Sequence, residues 1–373
     1  MKVVIALDSF KGCMDAVTAC RITADAIAAV APGVETVVRP MADGGEGTVA
    51  ALMAGRTGCL IEKQVTGPLP EMKVRAGFGW FDCDKTAVIE MASASGLPLL
   101  EPHQRNPLKT TTYGTGQLIK AAAENGARRL LLGVGGSATV DGGTGAATAL
   151  GWQFLDEKNK PVGLGGGQLS RIRKIIAPLN LELPQIEVLC DVETVLCGES
   201  GAAKIYGPQK GATPQMVRQL DEGLRHLAEV VKLQLGKDIN IPRAGAAGGL
   251  AAGAMAFMNA ALVSGIERII EATNLARELA GAQWVITGEG CFDRQSLYGK
   301  VVSGVAAAAK KTDTAVTVLA GTVALSEQEY KSAGISQAVA LKKEGMSLDY
   351  AVSHSRQLLA QAAAEFAQKH LTT

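Results

Sequence analysis

Short glycine-rich stretches with acidic or basic residues beside the glycines are the part of this sequence that could do chemistry. They span 41–48, 133–143, 207–211, 245–249 and 287–293. Glycine lets the backbone approach a ligand closely, and free amides at a helix N-terminus attract phosphate. Carboxylates and lysines beside such loops are what a magnesium–nucleotide site requires. One such loop is weak evidence, but the combination indicates phosphate chemistry.

Carboxylates directly follow several apolar strand candidates. Asp8 follows VVIAL, Asp191 follows IEVLC, and Glu289 and Asp293 follow WVIT. In open α/β sheets, ligands bind at the carboxyl ends of the strands. A single aspartate at a turn is more often a cap than a catalyst, but this shared placement favours a metal and a general base at one sheet edge.

Two lysines are the best candidates for neutralising phosphate charge. Lys11 lies in the first strand-to-helix loop and Lys210 lies beside glycine, and neither loop offers many other partners. Lys300 follows glycine but precedes Val301 rather than serine or threonine, so a Walker A motif is not present. The four histidines have no metal-ligand spacing. The residues therefore favour carboxylate and lysine chemistry without a P-loop.

Two other functions fit part of the pattern. The stretch 133–138 matches G-x-G-x-x-G/A after a strand, and Asp156 ends the next predicted strand at about the 20-residue spacing of a dinucleotide-binding fold. A dehydrogenase acting on a small hydroxy acid is thus one alternative, although Asp141, Gly142 and Gly143 disturb the helix that should follow. A non-catalytic small-molecule sensor is another, since a fold alone never fixes function.

Length and composition describe the kind of chain that carries these loops. Its 373 residues exceed the roughly 250–300 that one core supports, so two domains are expected. With 37 basic and 36 acidic residues, no nucleic-acid or membrane partner is indicated. The seven cysteines form no CxxC pair, and neither a signal peptide nor a run of about 18 apolar residues occurs. We expect reduced thiols and a cytoplasmic location.

The elements that must position the loops alternate between strand and helix. KVVIAL at 2–7 predicts a strand followed by a helix over 15–30, and the rhythm returns from 283 onward. Three strands in succession over 59–91 predict a mixed or antiparallel patch. The apolar stretch 247–262 predicts a buried helix. The fold class predicted from the residues is α/β, with a domain crossing near residue 96.

Ten motifs occur in order along the chain and together carry a family resemblance. The chain resembles the class II glycerate kinases of bacteria over nearly its whole length. The motifs are DSFK (8–11), ADGGEGT (42–48), VTGP (65–68), IEMASASG (89–96), GTG (114–116), GVGGSATVDGG (133–143), CDV (190–192), GPQKGA (207–212), GAAGG (245–249) and TGEG (287–290).

The resemblance implies an activity and a fold. The activity is phosphorylation of D-glycerate by ATP with Mg²⁺, normally to 2-phosphoglycerate, in organic acid catabolism. The fold has two α/β domains with a cleft between them, the glycerate kinase I-like arrangement. Its first domain is discontinuous and flavodoxin- or Rossmann-like, over 1–95 plus 283–373, and residues 96–282 form the inserted second domain. The sequence leaves open whether the protein forms a homodimer.

Roles follow from what phosphoryl transfer needs, which is positioning and charge neutralisation. We expect Asp191 to accept or orient the proton of the substrate hydroxyl, Lys11 to neutralise the transferring phosphate, and Glu289 with Asp293 to hold Mg²⁺. The residues expected to seat glycerate are Ser9, Asp43, Gly44, Gly45 and Ser93. The residues expected to hold the phosphates of ATP are Gly135, Gly136, Ser137, Thr139 and Lys210.

The sequence departs from the pattern of the resembled family at the ends of several loops. Leu7 stands where proline is usual, Gly12 where glutamate is usual, and Cys291 where arginine is usual. After the CDV motif, Thr194 and Val195 replace the usual asparagine and proline. The resemblance therefore leaves the preferred acid and the turnover undecided.

Overall fold

The computed structural model of the protein describes residues 1–372. Within them, strands and helices alternate along most of the chain. In chain order the strands are β1 (Lys2–Leu7), β2 (Glu35–Val38), β3 (Cys59–Thr66), β4 (Lys73–Phe81), β5 (Thr86–Glu90), β6 (Arg129–Gly133), β7 (Gln153–Leu155), β8 (Lys174–Ile176), β9 (Gln185–Leu189), β10 (Ala261–Val263), β11 (Trp284–Gly288), β12 (Cys291–Phe292), β13 (Ala315–Ala320), β14 (Thr322–Val323) and β15 (Gln337–Ala340).

The helices fill the intervals between these strands. In chain order they are α1 (Ala16–Val30), α2 (Thr48–Gly55), α3 (Ala92–Ser95), α4 (Tyr113–Glu124), α5 (Thr144–Ala149), α6 (Ala202–Tyr206), α7 (Pro214–Leu235), α8 (Ala246–Met258), α9 (Gly265–Ala272), α10 (Leu275–Leu279), α11 (Val301–Lys310), α12 (Glu327–Ser332), α13 (Leu348–Ser353) and α14 (Ser355–His370). In the described part of the chain, no helix is long and apolar enough to cross a bilayer.

The chain divides into two compact units. The first holds residues 1–43, 50–57 and those from 264 onward, and the second holds 44–49 and 58–263. This division differs from the expected bounds in three places. Residues 44–49 belong to the second unit, where Gly44 and Gly45 contact the ends of β6 and β9. Residues 58–95 belong to the second unit because β5 pairs in parallel with β6. Residues 264–282 belong to the first unit, where α9 and α10 pack against α11.

The first unit is built on a five-stranded parallel sheet. Its order is β15-β13-β11-β1-β2, which becomes 2-1-3-4-5 when the strands are numbered within the unit. That is the flavodoxin-like order. β1 is apolar from Val3 to Leu7, as is typical of a parallel strand whose two faces are both covered. Val3, Ile5 and Leu7 pack with α1 and α14 on one face. The predicted α/β fold is confirmed.

The second unit is built on a six-stranded mixed sheet of order β10-β9-β6-β5-β4-β3. β3, β4 and β5 form the antiparallel patch, while β5, β6, β9 and β10 run parallel. The helix expected over 247–262 is the buried α8, but it ends at Met258. Residues Ala261–Val263 instead form the edge strand β10, because they pair with β9.

Candidate active site

A cavity of about 420 Å³ opens at the carboxyl edge of the first unit's sheet. We call it the acidic cavity. Parallel strands end at the same edge, so the residues that follow β1, β2 and β11 meet there. It brings together five of the predicted site residues. The residues that define it here are Asp8, Ser9, Lys11, Asp43, Glu289 and Asp293.

Asp8 is the most perturbed carboxyl of the acidic cavity. Burial, with the neighbouring charges of Asp43 and Glu289, raises its pKa to about 7. The amide of Ser9 donates to its Oδ1 at 2.6 Å and opposes the shift, as does the charge of Lys11. Asp8 was noted above as a strand-end acid without an assigned role. The signal that could have singled it out is its place in the DSFK motif.

Glu289 has an oxygen available for a cation. Burial raises the pKa of its carboxyl, which a hydrogen bond from Ser296 and the charge of Lys300 oppose. Its Oε1 is buried and has no hydrogen-bond partner. An unpartnered buried carboxylate oxygen is costly unless a ligand or ion satisfies it. This oxygen therefore fits a cation that arrives with a substrate.

Asp293 is partly committed to the backbone. Its Oδ1 accepts from the amides of Gln295 and Ser296 at 2.8 and 3.2 Å, as a helix cap does. Among residues 1–372, no three His, Cys, Asp or Glu side chains come together as a metal site of their own. Magnesium in kinases is held by one or two carboxylates together with substrate phosphates. Glu289, with Asp293 close in sequence, fits that kind of shared site.

A second cluster lies in the second unit, at the carboxyl ends of β6 and β9, where backbones touch directly. A Cβ on Gly133 would lie 2.5 Å from the Gly44 carbonyl oxygen, and one on Gly135 would lie 2.6 Å from the Gly45 Cα. A Cβ on Gly44 would lie 2.7 Å from the Leu189 Cβ. Only glycine permits this approach. The loop 44–45 is therefore packed against both strand ends.

We call this cluster the glycine edge, comprising loops 44–45 and 133–137 with Ser93 and Asp191. Asp191 is half-buried two residues after β9. Ser93 Oγ donates to the Glu90 carbonyl oxygen at 2.8 Å. Glu90, which no role was predicted for, accepts from the Val49 amide at 2.7 Å and so caps the first turn of α2. This hydrogen bond fixes the segment that follows Gly45. In the sequence, the position of Glu90 in the IEMASASG motif could have indicated that it has a role.

Lys210 and Thr139 support the glycine edge from inside. Lys210 is 2% exposed, and its Nζ donates to Ser137 Oγ at 2.6 Å and to the Thr139 carbonyl oxygen at 2.7 Å. Thr139 is fully buried and its hydroxyl has no partner. Gly136 is exposed. Lys210 and Thr139 can therefore affect a ligand only by holding the loop in place, whereas Gly136 can contact a ligand directly.

The burial of Lys210 predicts how stability changes with pH. Burial lowers its pKa from 10.5 to about 7, although Asp141 opposes the shift. Between these values the unfolded chain binds a proton that the folded chain does not, so the free energy of unfolding should rise with pH. Relative to Lys210→Met, wild type should gain at most about 1.4 kcal/mol per pH unit over this window. Urea unfolding at pH 7, 8 and 9 measures this.

The control for that experiment is Lys120→Met, which removes an exposed lysine of α4 in the same unit. Its pH dependence should parallel that of wild type. If Lys210→Met also parallels wild type, Lys210 keeps its proton when folded and the assigned pKa shift is wrong.

The residues of the dinucleotide-binding alternative are not assembled as that fold requires. Gly142 and Gly143 have φ of 60° and 73°, so the backbone turns left-handed before α5 begins. Asp156 follows β7, which pairs with β8 in a separate antiparallel sheet rather than beside β6. Its Oδ1 accepts from the amides of Lys158 and Lys160 at 2.9 Å. It is a turn residue, and the dehydrogenase interpretation is not supported.

Comparisons with known proteins agree on one family. The family model described as "Glycerate kinase family" matches residues 3–371. The glycerate kinase of Halalkalibacterium halodurans is 45% identical over 98% of this chain and 97% of its own. The glycerate 2-kinase of Escherichia coli strain K12 is 46% identical over 87% and 86%. A crystal structure of a candidate glycerate kinase 2 from Salmonella typhimurium LT2 superposes with a TM-score of 0.86 at 36% identity, covering 99% of this chain and 98% of that one.

Proposed function

The chain belongs to the glycerate kinase family, and from this premise we propose that it transfers the γ-phosphoryl group of ATP to the 2-hydroxyl of D-glycerate, giving 2-phosphoglycerate. The observation that carries the proposal is the acidic cavity, where buried carboxylates and Lys11 share one strand-end edge. Phosphoryl transfer needs such charges in fixed positions and little covalent chemistry. The comparisons give no support to the dehydrogenase or the sensor.

Magnesium is proposed to bind at Glu289, with Asp293 contributing directly or through water. The unpartnered Oε1 of Glu289 supports this assignment. When bound, the ion would neutralise negative charge on the phosphates of ATP. Lys11 is proposed to place a second positive charge on the transferring group. Its side chain is exposed at the acidic cavity, where it can reach a ligand.

The acceptor hydroxyl needs a group that takes its proton. We assign this role to Asp191, because it lies two residues after the parallel strand β9 and is half-buried within the glycine edge. A carboxylate within hydrogen-bond reach of the hydroxyl can orient it and accept the proton as the O–P bond forms. Asp8, whose pKa is raised to about 7, is another carboxyl suited to hold a proton near neutrality.

The remaining site residues are proposed to position the two substrates. Ser9, Asp43, Gly44, Gly45 and Ser93 are the proposed contacts of glycerate. Gly135, Gly136 and Ser137 are proposed to hold phosphate, with Thr139 and Lys210 acting through that loop. The tight packing of the glycines and the hydrogen bonds from Lys210 keep the loop in one conformation. A fixed loop has less conformational entropy to lose when it binds a ligand.

Location and assembly follow less directly from the site. We propose a cytoplasmic enzyme, since a kinase needs a pool of ATP and the seven cysteines of the chain are free thiols. The homodimer stays a prediction.

The proposed function is tested by ADP release from the purified protein with ATP and Mg²⁺. D-Glycerate is compared with L-glycerate, glycolate, lactate and no acceptor, and NMR identifies the phosphorylated carbon. We expect release with D-glycerate and a product carrying phosphate on carbon 2. Release without any acceptor preference, or none with D-glycerate, contradicts the proposal. Phosphate on carbon 3 contradicts only the position.

A further inference from the structure

The acidic cavity has an apolar wall that the chemistry described so far does not use. Leu341, which directly follows β15, is buried in its lining. Leu348 and Val352 of α13 also line it and are 63% and 41% exposed. Glycerate carries a polar group on each of its three carbons and gains little from such a wall. The wall therefore matches some other part of a ligand.

Lysines lie in the same cavity as the wall. Lys342 directly follows Leu341, and Lys300 lies close enough to Glu289 to oppose the rise in its pKa. Within residues 1–372, neither ammonium group forms a salt bridge, and neither does that of Lys11. Lysines gathered in one concave site favour a polyanion, and the carboxylates of the same cavity favour a polyanion that arrives with a cation. Lys300 also immediately precedes α11, whose N-terminal amides favour phosphate.

The size of the cavity agrees with a ligand larger than glycerate. At about 420 Å³ it lies in the range of roughly 300–1,000 Å³ that small-molecule sites occupy. Such sites combine apolar walls with a few placed charges. A nucleoside triphosphate has this distribution, with a flat, weakly polar base at one end and a polyanion at the other.

We infer that the adenosine half of ATP binds against the apolar wall formed by Leu341, Leu348 and Val352 of the acidic cavity. The inference rests on the proposed kinase function and adds the subsite for the nucleoside. Burial of the two exposed side chains under the base removes apolar surface from water, which favours binding.

The test separates the nucleoside from the phosphates. Calorimetry measures the Kd of ATP and of inorganic tripolyphosphate for wild type and for the double variant Leu348→Ser, Val352→Ser. We expect the Kd of ATP to rise about tenfold, as for a lost apolar contact of one or two side chains, and that of tripolyphosphate to stay unchanged. The KM of D-glycerate should not change. Both side chains are exposed, so the fold tolerates the substitutions.

Two further variants keep the result interpretable. Tyr350→Ser changes an exposed apolar residue of the same helix that does not line the cavity, and should bind both ligands as wild type does. Ala351→Trp places bulk in the cavity and should weaken ATP far more than tripolyphosphate. Unchanged ATP binding in both the double variant and Ala351→Trp overturns the inference, as does equal weakening of both ligands.

Failure of the inference and failure of the proposed function give different results. If wild type binds ATP through the wall but transfers no phosphate to D-glycerate, the proposed function falls and the subsite stands. If wild type is an active glycerate kinase whose KM for ATP is the same in the double variant, only the subsite falls.

Discussion

Replacing Asp191 with asparagine is expected to lower kcat about 1,000-fold, within the range that a general base contributes. Asparagine keeps the size and the hydrogen-bonding reach of the side chain but cannot take up the hydroxyl proton. The Kd of ATP should change by less than about twofold, since a residue that acts in the chemical step leaves ground-state binding largely unaffected. Steady-state ADP release with D-glycerate and calorimetry with ATP measure the two quantities.

The matched control for this variant is Asp82→Asn. Asp82 is an exposed aspartate of the second unit whose carboxylate pairs with Lys85 in a turn. Its turnover should equal that of wild type, because surface pairs of this kind contribute little. Thermal unfolding of both variants establishes that the fold is intact. Near-normal turnover in Asp191→Asn would contradict the proton-accepting role of Asp191. Another group would then accept the proton, and Asp8→Asn is the next variant to measure.

Replacing Lys11 with methionine is expected to lower kcat by about 100- to 1,000-fold, the usual loss when one stabilising donor is removed from a developing charge. Methionine keeps an unbranched chain of similar length and removes only the positive charge. Lys11→Arg keeps the charge on a different geometry and should retain part of the rate. The rates are measured by ADP release at saturating ATP and D-glycerate.

Lys11→Met should also change the pH dependence of the rate. The positive charge of Lys11 is one of the influences that lower the pKa of Asp8. Without it the pKa of Asp8 rises above about 7, so any loss of rate caused by protonation of Asp8 begins at a higher pH. The exposed Lys343, next to Lys342 but outside the cavity lining, supplies the control variant Lys343→Met. Equal effects at Lys11 and Lys343 would contradict the assigned role.

The sequence predicted most local elements, because these follow from short-range patterns, but it placed Asp191 at the same sheet edge as Asp8 and Glu289. That placement is wrong, since Asp191 follows β9 of the second unit's sheet. β1 and the first part of α8 lie where continuous apolar residues and small residues predict them. Ser9, Lys11, Asp43, Glu289 and Asp293 come together because each follows a strand of one parallel sheet. Consecutive parallel strands end at one edge, so sequence position alone indicated that these side chains meet.

The division into units could not be predicted at residue precision. The strands over 59–90 follow directly on the first unit in sequence, yet β5 pairs with β6 of the second unit. In contrast, β1 pairs with β11. Val3 lies opposite Trp284 in the sheet, although most of the chain separates the two residues in sequence. Which strands pair depends on packing against segments that are distant in sequence. A local pattern of apolar residues therefore does not specify the partner of a strand.

The sequence by itself determined the α/β class, the glycine loops and the family. These follow from the periodicity of apolar residues and from the order of the motifs along the chain. Only the tertiary structure decided that Lys210 supports its loop from inside, that burial raises the pKa of Asp8 to about 7, and that Glu289 has a buried unpartnered oxygen. The physical reason is desolvation. The pKa and hydrogen bonding of a charged group depend on how much water its neighbours exclude, and those neighbours come from strands far apart in the chain.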